Sequence, residues 1–232
     1  MKDILFLGDT HGSLSTFFYY CKKFKLKDKI VFHVGDFGAG FYKNCEQLLI
    51  DYNNKLNKYD IIMYVIRGNH DNPKYFKGNH IFSHLKLMPD YTTININDRR
   101  FLLVGGAISV DRYIRKTDFI RRGNISWWKD EVFILNKRKL TKYKNITDVI
   151  THTAPNIVPP FGPLPSFIKA QTIYDPYLIS ELNIEREKLS EMYEILIKKN
   201  KINNWYYGHF HHSEKYKLNE VNFTLLDVNE LI

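Results

Sequence analysis

Five short apolar runs, rich in β-branched or aromatic residues, break off abruptly into polar residues. Ile4-Leu5-Phe6-Leu7 runs into Gly8-Asp9-Thr10-His11-Gly12, and Ile30-Val31-Phe32-His33-Val34 into Gly35-Asp36. Ile61-Ile62-Met63-Tyr64-Val65-Ile66, followed by Arg67, runs into Gly68-Asn69-His70-Asp71. Further on, Val149-Ile150 leads to Thr151-His152-Thr153, and Trp205-Tyr206-Tyr207 to Gly208-His209-Phe210-His211. Apolar runs of this length without polar alternation read as buried strands, and the loops at strand ends are where a rigid scaffold displays chemistry. Each of the five ends delivers Asp, Asn or His.

Between these runs the periodicity changes. Residues 13 to 24 read as a helix with Ser13 as N-cap, and residues 46 to 53 as another, so that β and α alternate. Alternation argues for a largely parallel central sheet covered by helices. From residue 81 the texture shifts to a hairpin, Thr92 to Ile96 and Phe101 to Gly106, turning at Asn97-Asp98-Arg99-Arg100, where a second sheet is expected to begin. Residues 107 to 145 are basic and aromatic and carry no clear period; the adjacent Trp127 and Trp128 must point to different faces. Residues 155 to 176 hold Pro155, Pro159, Pro160, Pro163 and Pro165, with Pro176 at the end, and read as a long loop. Pro176 to Asn200 reads as one helix, with Leu178, Leu182, Leu189, Met192, Tyr193, Leu196 and Ile197 on its core face.

Composition narrows the class. The chain has 232 residues, of which 44% are hydrophobic and 25% charged. The expectation is an α/β protein of one domain spanning residues 1–232. Two cysteines, Cys21 and Cys45, make no disulfide framework and read as buried thiols in a reducing cytoplasm. No apolar run approaches the ~20 residues of a membrane span, and the N-terminal run is too short for a signal peptide. The net charge of +9 points to anionic partners. Between Arg99 and Arg122 the excess is local: Arg99, Arg100, Arg112, Arg115, Lys116, Arg121 and Arg122 stand against Asp111 and Asp118.

Asp9, His11, Asp36, Asn69, His152, His209 and His211 together offer carboxylate, amide and imidazole, a mixture suited to borderline divalent metals such as Mn, Fe, Zn, Co or Ni. Seven ligands exceed what one ion takes, whereas two ions about 3.5 to 4 Å apart clamp the attacking and leaving oxygens of a phosphoryl centre. Asp36, short and centrally placed, is the candidate bridge. Gly78-Asn79-His80 repeats the central triplet without a preceding strand and reads as a surface turn, and His84 likewise as a surface residue. His33 sits within a strand and reads as core, and His212 as a neighbour of the site and a substitute for His211.

The set Asp9-x-His11, Gly35-Asp36, Gly68-Asn69-His70-Asp71, His152 and Gly208-His209-x-His211 resembles the calcineurin-like metallophosphoesterase superfamily, in the family's order and over nearly the whole chain. The resemblance implies two mixed β-sheets packed as a sandwich and flanked by helices, with two divalent ions, Mn foremost. It implies that Asp9, His11 and His211 hold one ion, Asn69, His152 and His209 the other, and that Asp36 bridges. His70 would then serve the leaving oxygen, Asp71 would orient its imidazole, and Arg67 matches an arginine that in the family's protein phosphatases grips phosphate. Those phosphatases continue the second motif into Asp-Arg-Gly, where this chain has Phe37-Gly38-Ala39. The Gly-His-x-His ending is typical of the phosphodiesterase-like and nuclease-like branch, and Gly105 to Arg112 with Trp127-Trp128 is similar to a segment of small bacterial and phage phosphoesterases. Diester or nucleotide hydrolysis, with a nucleotide or nucleic acid among the candidate substrates, is therefore expected over monoester hydrolysis of the protein-phosphatase type, with Arg112 as a further substrate contact. A non-catalytic scaffold, as in the retromer subunit of this superfamily, is disfavoured because every ligand and His70 are present.

Overall fold

A computed structural model describes residues 2–122, 126–162 and 165–232, leaving out the side chains of 119–122. Arg121 and Arg122 of the basic segment and Pro163 of the proline-rich stretch thus lie outside the described residues or side chains. Among the described residues ten strands form two sheets. The first holds β1 (Asp3–Leu7), β2 (Lys29–His33), β3 (Ile62–Val65) and β4 (Leu85–Leu87) in that spatial order, all parallel. The second is mixed: β5 (Thr92–Ile96), β6 (Arg99–Val104), β7 (Asp148–Thr151) and β8 (Asn204–Tyr207) are followed by β10 (Val221–Leu225) and then β9 (Glu214–Leu218). The helices are α1 (Ser15–Lys23), α2 (Cys45–Lys58), α3 (Arg112–Arg122), α4 (Lys137–Leu140), α5 (Ser166–Gln171) and α6 (Leu178–Ile197).

Period-two alternation along the strands builds the layers. In the first sheet Phe6, Phe32 and Ile66 face one way and meet Phe101, Leu103, Ile150 and Tyr206 of the second sheet, which makes the inter-sheet core. Leu7, Val31, Met63 and Val65 face the other way and are covered by Phe17 and Cys21 of α1 and by Leu49, Tyr52 and Leu56 of α2. On the far side of the second sheet, Leu102, Val149, Trp205 and Tyr207 are covered by Leu189, Met192, Tyr193 and Leu196 of α6. The result is a two-sheet sandwich with helices on both outer faces. Strands uniformly apolar in sequence are those buried on both sides, the condition under which parallel strands lose their polar face.

Several expectations shift in detail. The hairpin turn is the two-residue Asn97-Asp98, with Ile96 paired to Arg99 and Asn97 in the left-handed region, so Arg99 and Arg100 belong to the strand. The first helix starts at Ser15, with Leu14 rather than Ser13 at the N-cap position and no side-chain cap; the Ser13 hydroxyl instead bonds the Ser15 hydroxyl at 2.9 Å and accepts the Ser15 N–H at 3.4 Å. Within the proline-rich stretch six residues form α5, and the preceding turn is held by Arg186 of α6, whose guanidinium donates to the carbonyls of Ala154, Pro155, Val158 and Pro160. The basic segment contains α3, whose charged sequence hides its helical period. Both cysteines are free and buried, and burial pushes the Cys21 thiol up to about 12. Among the described residues no helix is long and apolar enough to cross a membrane.

Candidate metal centre

In parallel sheets ligands collect beyond the carboxyl ends of the strands, and here five such ends converge from both sheets. β1, β2 and β3 deliver the loops of Asp9, Asp36 and Asn69, while β7 and β8 deliver those of His152 and His209. The loops approach so closely that side chains are excluded between them. A Cβ on Gly68 would lie 2.1 Å from Asp36 Oδ1, and one on Gly208 would lie 2.2 Å from Asp9 Oδ1. His11, Asp36, His209 and His211 all have positive φ. Non-glycine residues enter that region at a cost of order 1 kcal/mol or more. Four strained residues in one cluster mark a place where packing enforces a geometry the backbone does not prefer.

All seven sequence-predicted ligands come together. Asp9, His11, Asp36 and His211 each present a donor atom within 4.8 Å of the others. His11 Nε2 and His211 Nε2 face each other at 3.1 Å, and His211 Nε2 lies 3.5 Å from Asp9 Oδ2. On the other side His152 donates from Nδ1 to the Val34 carbonyl at 2.8 Å, which turns Nε2 inward. There Nε2 meets Asn69 Oδ1 and Asp36 Oδ1, each at 3.1 Å, and the His209 ring stacks edge-on at 5.0 Å between centroids. Asp36 divides between the two groups, with Oδ1 toward His152 and Oδ2 3.8 Å from His11 Nδ1.

The donor set fits divalent ions. Among the described residues Asp9 Oδ1 is buried without a hydrogen-bond partner. Such an omission costs roughly 1 to 3 kcal/mol unless a cation answers it. Lone pairs of Asn69, Asp36 and His152 converge, and such convergence demands positive charge among them. The same demand shows in the titration of the cluster. Burial opposes a charge on His152, yet the Asp36 and Asp9 carboxylates lift its imidazole to about 10. Burial likewise opposes charge on Asp36, and His152 and His70 nevertheless hold it well below the usual carboxylate range.

The model of the calcineurin-like phosphoesterase family matches residues 2–213. The chain belongs to this family. It is accordingly a metal-dependent hydrolase of phosphate esters. No curated protein matches the chain. Among solved structures the phosphoesterase is similar to a conserved protein of Streptococcus pneumoniae described as a predicted phosphoesterase, at 12% identity and TM-score 0.39 over 97% of this chain and 71% of that one. It is also similar to GAP50, described as the anchor in the inner membrane complex of Plasmodium, at 13% identity and TM-score 0.44 over 98% and 72%. A provisionally named 5'-nucleotidase of Staphylococcus aureus matches at 14% identity and TM-score 0.47, over 97% of this chain and 49% of that chain. These likenesses, all below a TM-score of 0.5, are too loose to bear on function; the family assignment rests on the sequence.

Around the centre of this phosphoesterase, three expected roles are corrected. Arg67 is 4% exposed and spends all five N–H donors inside the protein: Nε and Nη2 on Asp90, and Nη1 and Nη2 on the carbonyls of Asp130, Glu131 and Val132. It ties the central loop to the second sheet and has no donor left for phosphate. Arg112 is held by Asp175 and Glu181, whose two carboxylates neutralise it. Asp71 does not touch the His70 ring; it accepts the N–H groups of Phe37, Gly38, Ala39 and Gly68, stapling the second and third ligand loops together. Its burial and the Asp36 charge push its carboxyl up to about 6.

The residue that does touch His70 is Arg115, which sequence reasoning counted only as part of a basic segment. Arg115 is 5% exposed, is held at Nε by Asp111 (2.8 Å), and donates from Nη2 to His70 Nε2 at 2.9 Å and from Nη1 to the Asn69 carbonyl at 3.1 Å. The i, i+4 spacing of Asp111 and Arg115 was the available signal. His33, His80 and His212 make contacts outside this cluster. His33 is fully buried, accepts the Gly35 N–H on Nδ1 at 3.2 Å and so donates from Nε2 to the Thr10 hydroxyl at 3.0 Å, fastening the first ligand loop to the second. His212 faces Glu214 at 3.3 Å rather than the centre, and His80 is half-buried, stacked on Tyr75.

Proposed function

We propose that this phosphoesterase uses two divalent ions, with Mn the first to test, and hydrolyses phosphodiesters that carry an aromatic or nucleoside group. The observation that carries the two-ion reading is Asp36, whose two oxygens point into two separate donor groups. Asp9, His11 and His211 would hold one ion, and Asn69, His152 and His209 the other. Ions bound there supply Lewis acidity toward a phosphoryl oxygen and toward water. His70 stands at the edge of this centre, its Nε2 3.9 Å from Asp36 Oδ2. Because Arg115 donates to Nε2, the proton of neutral His70 sits on Nδ1, and that N–H is the donor it offers a leaving oxygen.

The preference for diesters is supported by charge and by shape. A monoester dianion rewards arginines with free donors, whereas Arg67 and Arg115 have theirs committed and Arg112 is bound by two carboxylates. Beside His70, Phe41 lies 5.3 Å away between ring centroids, and Trp128 lies 6.4 Å beyond Phe41. The three rings make a half-buried aromatic wall suited to stacking a planar substituent. The experiment compares kcat/KM of the Mn-loaded protein for bis(4-nitrophenyl) phosphate and 4-nitrophenyl phosphate. The diester is expected to be preferred, and a tenfold or greater preference for the monoester overturns the reading.

A further inference from the structure

Two buried side chains outside the ligand set stand in line behind Asn69. Ser109 follows β6 and Glu131 lies in the loop before α4; their exposures are 0% and 1%, and that of Asn69 is 4%. The chemistry of the groups decides the direction of each hydrogen bond. The Glu131 carboxylate heads the line, accepting the Ser109 N–H at 3.1 Å, the Trp128 N–H at 3.3 Å and the Ser109 hydroxyl. Ser109 thereby commits its one hydroxyl proton, so its oxygen can only accept, and it does so from Asn69 Nδ2 at 3.3 Å. Asn69 must then present Oδ1, not its NH2, to the cluster around His152 Nε2.

We infer that Ser109 and Glu131 are positioning residues that fix the rotation of the Asn69 amide, so that an oxygen lone pair faces the cation. The inference rests on the reading of Asn69 as a metal ligand. A flipped amide would aim two N–H groups at a positive ion, and the aligned chain from Glu131 also draws charge toward Oδ1. This gives Ser109 and Glu131 a task other than substrate contact: they lock one side chain of the cluster from behind.

The test is a Mn(II) titration of the full chain, with free Mn(II) read by electron paramagnetic resonance. Ser109→Ala is expected to weaken one of two binding sites by roughly 10- to 100-fold and to leave the other unchanged. Glu131→Gln is a second arm, since an amide can donate to Ser109, release the hydroxyl proton to Asn69 and permit the flip; the same loss is expected. The deciding arm repeats Ser109→Ala in an Asn69→Asp background, where a carboxylate offers oxygen whichever way it turns and the loss should vanish. An equal loss in both backgrounds would mean that Ser109 only packs, and no loss with native Asn69 would mean that nothing needs locking; either overturns the inference. Unchanged Mn(II) binding in Asn69→Ala overturns the ligand assignment itself, and the inference with it.

Discussion

Among single residues, Asp36 bears the most. It is 1% exposed, has positive φ, accepts the His70 N–H at 2.8 Å and divides its oxygens between two donor groups. Asp36→Asn keeps the size but puts an NH2 against one group, so both sites should weaken. Turnover is expected to fall by more than roughly 10²-fold, with Mn stoichiometry below that of the native chain; chelation of the native protein should abolish hydrolysis and added Mn restore it. His70 is the contrasting case, because its ring lies beside the donor cluster rather than within it. His70→Ala should lower kcat by roughly 10²- to 10⁴-fold while metal content stays unchanged. Loss of one ion on that substitution would make His70 a ligand.

The same distinction between holding and reacting applies to the loops. The loop after β3 is anchored on three sides: by Asp71 to the Phe37–Ala39 backbone, by Arg67 to Asp90 and the 130–132 carbonyls, and by Arg115 to α3. Arg67→Ala should therefore act on folding rather than on substrate grip, since it leaves Asp90 and three carbonyls without their donor. A loss of about 3 kcal/mol is expected, read as a lower urea midpoint with KM unchanged. A raised KM at native stability would return Arg67 to the substrate. Sequence reasoning located this loop and placed Asn69 in the cluster but misassigned the two flanking charges. A motif states which residues are adjacent in the chain, and it does not state that the Arg67 side chain crosses to meet Asp90 or that the Asp71 carboxylate turns back onto four amides.

For the whole molecule, a buried carboxyl of the outer helix layer holds the segment between β6 and α4. Glu185 of α6, 4% exposed, accepts the N–H of Ile108 at 3.0 Å and of Phe133 at 3.1 Å, holding both ends of the segment that carries Ser109 and Glu131. Its burial outweighs these bonds and pushes the carboxyl from 4.5 up to about 7. The folded chain thus binds this proton more tightly than the unfolded chain. The stabilisation is full below the ordinary value of 4.5 and is lost as pH rises toward about 7. Burial raises Glu131 in the same direction, to about 7, so the carboxylate that heads the Ser109–Asn69 line is fully formed above that pH. Urea midpoints of the chelated protein should fall between pH 5 and pH 8, and Glu185→Gln should flatten that fall. An identical slope in the variant would show that Glu185 is ionised across the range.

By itself the sequence determined the alternation of strands and helices, the five polar strand ends and the seven Asp, Asn and His side chains that gather there, because each is written locally: an apolar run specifies a strand, and the residue just past it lies at that strand's end. Only the tertiary structure decided which charges reach the centre. Arg67, Arg112, Arg115, Ser109 and Glu131 are polar residues whose deciding partners lie 22 to 69 positions away in the chain, and a hydrogen bond or ion pair depends on distance and direction in space. Two arginines singled out for substrate turned out to be tied to carboxylates. The one beside His70 counts in the sequence only toward the local excess of basic residues. Side chains of the same type are indistinguishable in sequence until the fold brings them a partner.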